Sequence, residues 1–332
     1  LYYHIDWLLI VAIGLLCAIG VAMIYSTTGQ TPGARLGLLY AKQVYAILIG
    51  LLVGRSTGGT LLRCTEATRD AALAPGGTVM CGWGGCAARP WTIATDDFFV
   101  PVEQFRGLIA ALLGAPDDPE GVAVTPSVSY GVATAVRNLS LRPGQAVVVL
   151  ERQFPSDVYG WQHLAERDGG RVVTVATPTD LDWTAAVLAT LHDLGDQVGV
   201  VSVPPCHWTD GGLVDLVAVA GAARDLGAAV CVDLCQWLGA APFDVHEVQP
   251  DFAFGATYKW LCGPYSVGFL WAAPHRRGGE PLEHGWTPRA NSHDLSALAD
   301  LTTAFHPGAR RYDMGEVANF ALLPVAIAAA TT

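Results

Sequence analysis

The sequence predicts an α/β fold built on a mostly parallel β-sheet that is covered by helices on both faces. Three observations predict it: short apolar runs rich in β-branched residues, segments of helical periodicity between them, and polar residues placed directly after the apolar runs. Continuous apolar strands that alternate with helices are typical of parallel sheets, because such sheets are buried on both faces. Ligands of these folds bind at the carboxyl ends of the strands, so we expect functional side chains there.

The individual elements follow from the same patterns. Apolar runs predict strands over residues 145–150, 171–176, 198–203, 228–234, 252–256 and 267–271. Apolar residues at helical spacing predict helices over residues 105–113, 130–139, 157–168, 183–194 and 214–226. Strands and helices therefore alternate along the chain from about residue 91 onward.

Composition narrows the class of protein. The formal charge of -11 argues against a nucleic-acid partner, because no basic surface is available to neutralise phosphates. The 8 cysteines form no CxxC pair and are followed by no zinc-type spacing, so we expect buried free thiols in a reducing compartment and no metal site. The mean hydropathy of +0.36 reflects the buried strands and an apolar N-terminal segment.

The first 54 residues differ from the rest of the chain. An uncharged run from Trp7 to Tyr25 has the length of a bilayer crossing, and a shorter apolar run covers residues 44–53. These runs predict a transmembrane-type helical hairpin, with a signal peptide or a buried helix as the alternatives. The Gly-rich residues 55–90 are interpreted as a junction, which is a linker, a mis-joined segment or a degraded start of the next domain.

The N-terminal motifs HIDW, YSTTGQ and KQ, together with the two apolar runs, resemble the start of the RodA/FtsW family of membrane peptidoglycan polymerases. This resemblance covers residues 4–53 and implies a membrane contact through residues 7–53. The further spans and the later acidic residue that such an activity needs are not found in the chain, so no polymerase activity is inferred.

Two consecutive predicted strands are each followed by, or end in, a side chain that can react or bind a cofactor. VCVDLCQW carries Asp233 at its strand end, and DFAFGATYKW carries Lys259 just after the next strand. The carboxylate either faces a cation, such as a protonated pyridine nitrogen, or caps the following turn. The lysine amine either forms a Schiff base with an aldehyde cofactor or lies on the surface. Because Lys42 is the only other lysine and the two strands are consecutive, we expect Asp233 and Lys259 to face one crevice.

Two further motifs precede these strands. TPSVSYGVATAVRNL opens a helix with Ser127 and Ser129, whose hydroxyls bind a phosphate together with the backbone N–H groups at the helix start, or cap the helix. ERQFPSD follows a strand and presents Phe154, which either stacks on a flat cofactor ring or packs in the core. Each motif alone is ambiguous, and their order along the chain is more specific.

That order, from phosphate turn to stacking aromatic, strand aspartate and strand lysine, resembles the class V aminotransferase branch of the fold-type-I pyridoxal-phosphate (PLP) enzymes. The resemblance runs from about residue 91 to 324 and includes DDFF, PSVSYG, QFPSD, HWTDGG, VDLCQWLG, TYKWLCGP and RRYDMGE. It implies a three-layer PLP-dependent transferase fold with a large PLP-binding domain at residues 91–280. It also implies a small C-terminal domain, truncated in this chain and starting within residues 281–332, and a homodimer.

The resemblance also implies roles for single residues. Lys259 is the aldimine lysine, Asp233 lies at the pyridine nitrogen and Phe154 stacks on the ring. The remaining implied cofactor contacts are Ser127, Val128, Ser129 and Tyr258 near the phosphate, Gln236 near the phenolic oxygen, and Asp157 near the cofactor as in kynureninase-like members. His207 stands where cysteine desulfurases carry an asparagine, which removes one expected contact to the phenolic oxygen.

The function implied is a PLP enzyme that acts on an amino acid by transamination or by lyase chemistry at a C–S or C–C bond. Desulfurase activity is disfavoured, because no cysteine lies on a C-terminal mobile loop. Trp286 and Arg289 in GWTPR, and Arg311, either contact the substrate or, in the case of the arginines, form surface salt bridges. We expect a cytoplasmic catalytic domain, membrane-anchored if the hairpin is native to it. The alternatives are a RodA/FtsW-like membrane protein fragment and an inactive chimera.

Overall fold

The computed structural model describes residues 93–331. The predicted hairpin at residues 1–54, the junction at 55–90 and the RodA/FtsW resemblance therefore lie outside the described residues, and they stay predictions. Among the helices of residues 93–331, none is both long and apolar enough to cross a membrane.

Seven strands and seven α-helices form the described part of the chain, with short 3₁₀ turns between them. The strands are β1 (Val122–Thr125), β2 (Ala146–Leu150), β3 (Arg171–Val175), β4 (Val198–Val203), β5 (Ala229–Asp233), β6 (Phe252–Ala256) and β7 (Gly268–Ala272). The helices are α1 (Thr95–Leu112), α2 (Val128–Asn138), α3 (Pro155–Asp168), α4 (Trp183–Leu194), α5 (Leu216–Asp225), α6 (Val245–Val248) and α7 (Leu323–Thr331).

All seven strands belong to one sheet in the order β1-β7-β6-β5-β4-β2-β3. Four strand pairs are parallel, namely β2–β3, β2–β4, β4–β5 and β5–β6. Strand β7 runs antiparallel to both of its neighbours, β6 and β1. In the β5–β6 pair, Asp233 lies opposite Phe254. The expectation of an α/β fold with a mostly parallel sheet is confirmed, and β5 and β6 are neighbours as their order along the chain suggested.

Each face of the sheet has its own apolar core, because successive strand residues point to opposite faces. On one face, Val148 and Leu150 of β2 pack with apolar residues of α1, α4 and α5. On the other face, Val147 and Val149 pack with apolar residues of α2 and α3, including the fully buried Trp161. This double burial explains why the strands are continuously apolar rather than alternating.

The following features differ from the predicted elements. Strand β1 was not predicted, and the direction of β7 against the parallel strands was not predicted either. Helix α1 begins at Thr95, ten residues before the predicted apolar stretch, because Asp96 and Asp97 favour the first turn of a helix and Asp97 accepts the Ala94 N–H at 2.8 Å. Helix α7 was also not predicted, and its Leu323 and Ala326 belong to the core on the α1 face of the sheet.

Candidate functional site

Asp233 and Lys259 lie at the carboxyl ends of adjacent parallel strands. Asp233 is the last residue of β5, and Lys259 follows β6 in a turn. Thr257 stabilises this turn, since its hydroxyl donates to the Val267 carbonyl at 2.8 Å. Burial raises the pKa of Asp233, and the positive charge of Lys259 partly opposes this rise, so the two side chains interact electrostatically. Both residues therefore lie at the same edge of the sheet, and the crevice between them stays a prediction.

Asp233 is buried, and this burial is the main reason why its pKa is raised, with Cys235 and Lys259 opposing the rise. Its Oδ1 accepts the backbone N–H of Cys235 at 2.8 Å, which caps the turn after β5. The carboxylate therefore caps a turn, as the capping alternative predicted, and it also interacts with the charge of Lys259. Its place at a pyridine nitrogen stays a prediction. Within residues 93–331, the hydrogen bonds to Asp233 come from Cys235.

Asp157, in the first turn of α3, is a second acid close to Asp233. It is completely buried, and burial followed by the charge of Asp233 raises the pKa of Asp157 to about 7. Its Oδ2 accepts a hydrogen bond from Gln153, and its Oδ1 accepts longer ones from Trp161 at 3.4 Å and Ser202 at 3.5 Å. The ionisation of one carboxyl group therefore affects the other, and Asp157 is the more deeply buried of the two.

Phe154 immediately precedes α3, and its ring faces the lysine. Its side chain is 42% exposed, and Lys259 Nζ lies 5.7 Å from the ring centroid. Trp208 packs edge-on against the same ring at 5.5 Å and donates its indole N–H to the Arg152 carbonyl at 2.6 Å. Phe154 is therefore not a core aromatic, which was the alternative to a stacking role.

The start of α2 lies at the end of β1. Ser127 is the N-cap residue, and its hydroxyl accepts the Tyr130 N–H at 3.2 Å, as the capping alternative predicted. Val128 is half-buried and Ser129 is exposed. Two residues before the cap, the Thr125 hydroxyl is buried without a hydrogen-bond partner among the described residues. Such an unpaired donor beside free backbone N–H groups suits an anion.

Tyr258 and Gln236 flank the two strand ends. Tyr258 is half-exposed and packs against Tyr265 with ring centroids 4.7 Å apart. Burial raises its pKa, and the nearby Cys235, Tyr265 and Asp233 raise it further. Gln236 is half-buried in the turn after Asp233.

His207 is held by the protein itself. Its Nε2 lies 3.0 Å from the Glu151 carbonyl, and its Nδ1 lies 3.0 Å from the Thr209 hydroxyl and 3.1 Å from Asp210. Both ring nitrogens therefore have partners inside the protein.

Trp286, Arg289 and Arg311 lie in the segment that follows β7. Trp286 packs edge-on against Phe98 of α1 at 5.7 Å. The two guanidinium groups lie over the Phe305 ring, at 4.1 Å for Arg289 and 4.9 Å for Arg311. Within residues 93–331 neither arginine forms a salt bridge, so cation–π contacts and backbone carbonyls replace the surface ion pairs named as an alternative.

Two residues of this region were not predicted from the sequence. Gln153 is buried between the end of β2 and Asp157, and Cys235 is buried beside Asp233. The only signal for Gln153 is its spacing of four residues before Asp157, and the only signal for Cys235 is its place two residues after Asp233. Neither spacing is specific, because loops after strands are commonly polar.

Comparisons with known proteins identify the family of the chain. The family model described as Aminotransferase class-V matches residues 85–310. A kynureninase of Burkholderia mallei (strain SAVP1) is 31% identical over 220 residues, which cover 63% of this chain and 50% of that protein. The uncharacterized aminotransferase YcbU of Bacillus subtilis (strain 168) is 28% identical over 207 residues, covering 62% of this chain and 54% of that protein.

Solved structures share the fold. The cystine C-S lyase C-DES, in complex with cysteine persulfide, has a TM-score of 0.64 at 20% identity. The match covers 75% of this chain and 66% of the C-DES chain. The cysteine desulfurase CsdA of Escherichia coli has a TM-score of 0.60 at 18% identity, and the match covers 79% of this chain and 64% of the CsdA chain. The chain spans about half the length of the curated relatives it matches. Because the family model matches more than half of the chain, the chain belongs to the aminotransferase class-V family.

Proposed function

We propose that this chain is the cofactor-binding part of a PLP-dependent enzyme that acts on an amino acid, by transamination or by lyase chemistry at a C–S or C–C bond. The single observation that carries the proposal is the pair of adjacent strand ends, where a buried carboxylate at Asp233 interacts with the ammonium of Lys259. Kynureninase and cystine C-S lyase relatives support the reaction class.

The residues fit PLP by their chemistry. A buried carboxylate that receives hydrogen bonds from Cys235 alone, among the described residues, favours a cationic partner such as a protonated ring nitrogen. Lys259 makes no salt bridge within residues 93–331 and lies against the exposed Phe154 ring, so the amine and an aromatic platform are both accessible. The unpaired Thr125 hydroxyl before α2 fits the phosphate end.

Each side chain then has a defined task. Asp233 would hold its negative charge near the ring nitrogen of the cofactor, and Phe154 would stack on the ring. Ser127, Val128, Ser129 and Tyr258 would bind the phosphate. When bound, PLP supplies an electron sink for the bonds at the substrate α-carbon. Lys259 would hold the cofactor through Nζ and would move a proton at the substrate α-carbon. Gln236 would lie near the phenolic oxygen of the cofactor, and the buried Asp157 would lie near the cofactor beside Asp233.

The proposal also assigns residues to the binding of the substrate. Arg289 and Arg311 are the guanidinium groups that we assign to an amino-acid carboxylate, with Trp286 beside them, and the cation–π contacts to Phe305 hold both arginines in place. A homodimer, as the family resemblance implies, is part of the same proposal.

Covalent capture of PLP tests the proposal. The full chain is incubated with PLP, reduced with borohydride and mapped by peptide mass spectrometry. We expect one pyridoxyl group on Lys259 and the absorbance band of a covalently bound cofactor, both lost in Lys259→Ala. Lys42→Ala is the matched control, because it removes the only other lysine and is expected to leave the label in place. Labelling of Lys42 alone, or no uptake of PLP, would overturn the proposal.

A further inference from the structure

Two glutamines flank β2 and share one local structure. At the carboxyl end, the Leu150 N–H donates to Gln153 Oε1 at 2.9 Å while the Gln153 N–H donates to the Leu150 carbonyl at 3.2 Å. At the amino end, the Arg142 N–H donates to Gln145 Oε1 at 2.8 Å while the Gln145 N–H donates to the Arg142 carbonyl at 2.9 Å. Each side chain thus closes a small ring with the backbone three residues earlier.

This ring fixes the orientation of the side-chain amide. Because a backbone N–H can only donate, the atom facing it must be the amide oxygen, and the NH₂ group must point the other way. In Gln145 the NH₂ group donates to the Val198 carbonyl at 3.4 Å, which is a weak contact to a neutral group. In Gln153 it donates to the carboxyl group of Asp157.

Asp157 is therefore held from a defined direction. Gln153 donates to Oδ2, whereas Trp161 and Ser202 make the longer contacts to Oδ1. Among the described residues, the charge of Asp233 acts on Asp157, and Asp157 in turn raises the pKa of Cys231; both of these partners lie on β5. Burial and the charge of Asp233 disfavour an ionised Asp157, and the hydrogen bond from Gln153 opposes them.

We propose that Gln153 is a positioning residue, whose locked amide orients the Asp157 carboxyl group behind Asp233 and stabilises its ionised form. Gln153 thereby acts on the proposed cofactor acid through Asp157, without touching the cofactor. The inference rests on the proposed function for its role in catalysis, but the contact between Gln153 and Asp157 is testable in the cofactor-free chain.

The first test follows the protonation of Asp157 by infrared spectroscopy on the full chain without PLP. The carbonyl stretching band of the protonated carboxyl group is assigned by its loss in Asp157→Asn and followed as pH rises. In Gln153→Met, which keeps the shape but removes the donor, we expect the band to persist to a pH about one unit higher than in the wild type. Gln145→Met is the matched control and is expected to leave the titration unchanged.

A second variant separates the donor from the backbone ring. Gln153→Glu keeps an oxygen for the Leu150 N–H but loses the amide donor and adds a negative charge, so we expect an upward shift at least as large as that of Gln153→Met. A purely structural role would lower the thermal stability in both variants without moving the titration of Asp157.

The cofactor-loaded chain provides the second readout. The pH dependence of PLP affinity, measured by absorbance, is expected to move in the same direction in both Gln153 variants and to stay unchanged in Gln145→Met. An unshifted titration of Asp157 in both Gln153 variants, or an equal shift in Gln145→Met, would overturn the inference. If the wild type takes up no PLP, the proposed function fails, and the infrared titration still decides the role of Gln153.

Discussion

At the scale of single residues, the buried acid Asp157 couples folding to pH. Its pKa in the folded chain is raised to about 7 by burial and by Asp233, whereas an unfolded aspartate ionises near pH 4. Between these two values the folded chain holds a proton that the unfolded chain has released. The free energy of unfolding contributed by this group therefore falls as pH rises from about 4 to about 7, by at most about 1.4 kcal/mol per pH unit.

Replacing Asp157 by asparagine removes this titration and nearly preserves the shape of the side chain. We expect the free energy of unfolding of cofactor-free Asp157→Asn to decline less steeply than that of the wild type between about pH 5 and pH 7. Urea unfolding across this range measures it. The exposed Asp117 serves as the control, and Asp117→Asn is expected to retain the wild-type slope. Parallel pH profiles for Asp157→Asn and wild type would contradict the raised pKa.

The sequence predicts some of these residues better than others. Asp233 and Lys259 were predictable, because functional residues of parallel sheets follow the strands and the strands themselves are plain in the apolar pattern. The depth of Asp157 was not, because its burial depends on partners such as Ser202, 45 residues away in the chain. Gln153 was missed for a similar reason, since a glutamine in a loop is ordinarily exposed.

At the scale of elements, a buried ion pair joins α1 to the turn after residue 308. Arg106 of α1 donates to both carboxylate oxygens of Asp313, at 3.2 and 2.8 Å, and Asp313 also accepts the Val124 N–H of β1 at 2.7 Å. Both side chains are almost completely buried. Removing one partner leaves an uncompensated buried charge, which costs about 3–5 kcal/mol in proteins.

Arg106→Met is therefore expected to lower the free energy of unfolding by about 3–5 kcal/mol, as measured by urea or thermal unfolding. Arg137→Met is the control, because Arg137 also lies on a helix and pairs with Glu280, but both of those side chains are about half exposed. We expect a much smaller loss there, since water screens such pairs. Similar losses in the two variants would show that the Arg106–Asp313 pair does not anchor the turn.

The elements that the sequence did not predict share a physical cause. Strand β1 has only four residues, VAVT, and it pairs with β7, which lies more than 140 residues further along the chain. A short apolar run specifies neither its neighbours nor its direction, because the side-chain pattern is the same in parallel and antiparallel pairs. The interior strands were predicted because helices between them require parallel crossovers.

At the scale of the whole molecule, the proposed cofactor contacts come from distant parts of the chain. They lie at the start of α2, before α3, and after β5 and β6, so a ligand bound there contacts two helices of one face and the middle of the sheet. A ligand that binds only the folded state stabilises all of these elements together, by about 2.7 kcal/mol at a concentration 100 times its dissociation constant.

For a folded unit of this size, that stabilisation corresponds to a rise in the midpoint of thermal unfolding of about 5–10 °C. We therefore expect saturating PLP to raise the midpoint of the wild type and of Lys42→Ala to the same extent. The rise should be smaller in Lys259→Ala, which retains the ring and phosphate contacts but loses the covalent one. Differential scanning calorimetry measures both shifts. An unchanged midpoint in saturating PLP would mean that these residues, although close in the fold, do not bind the cofactor as a unit.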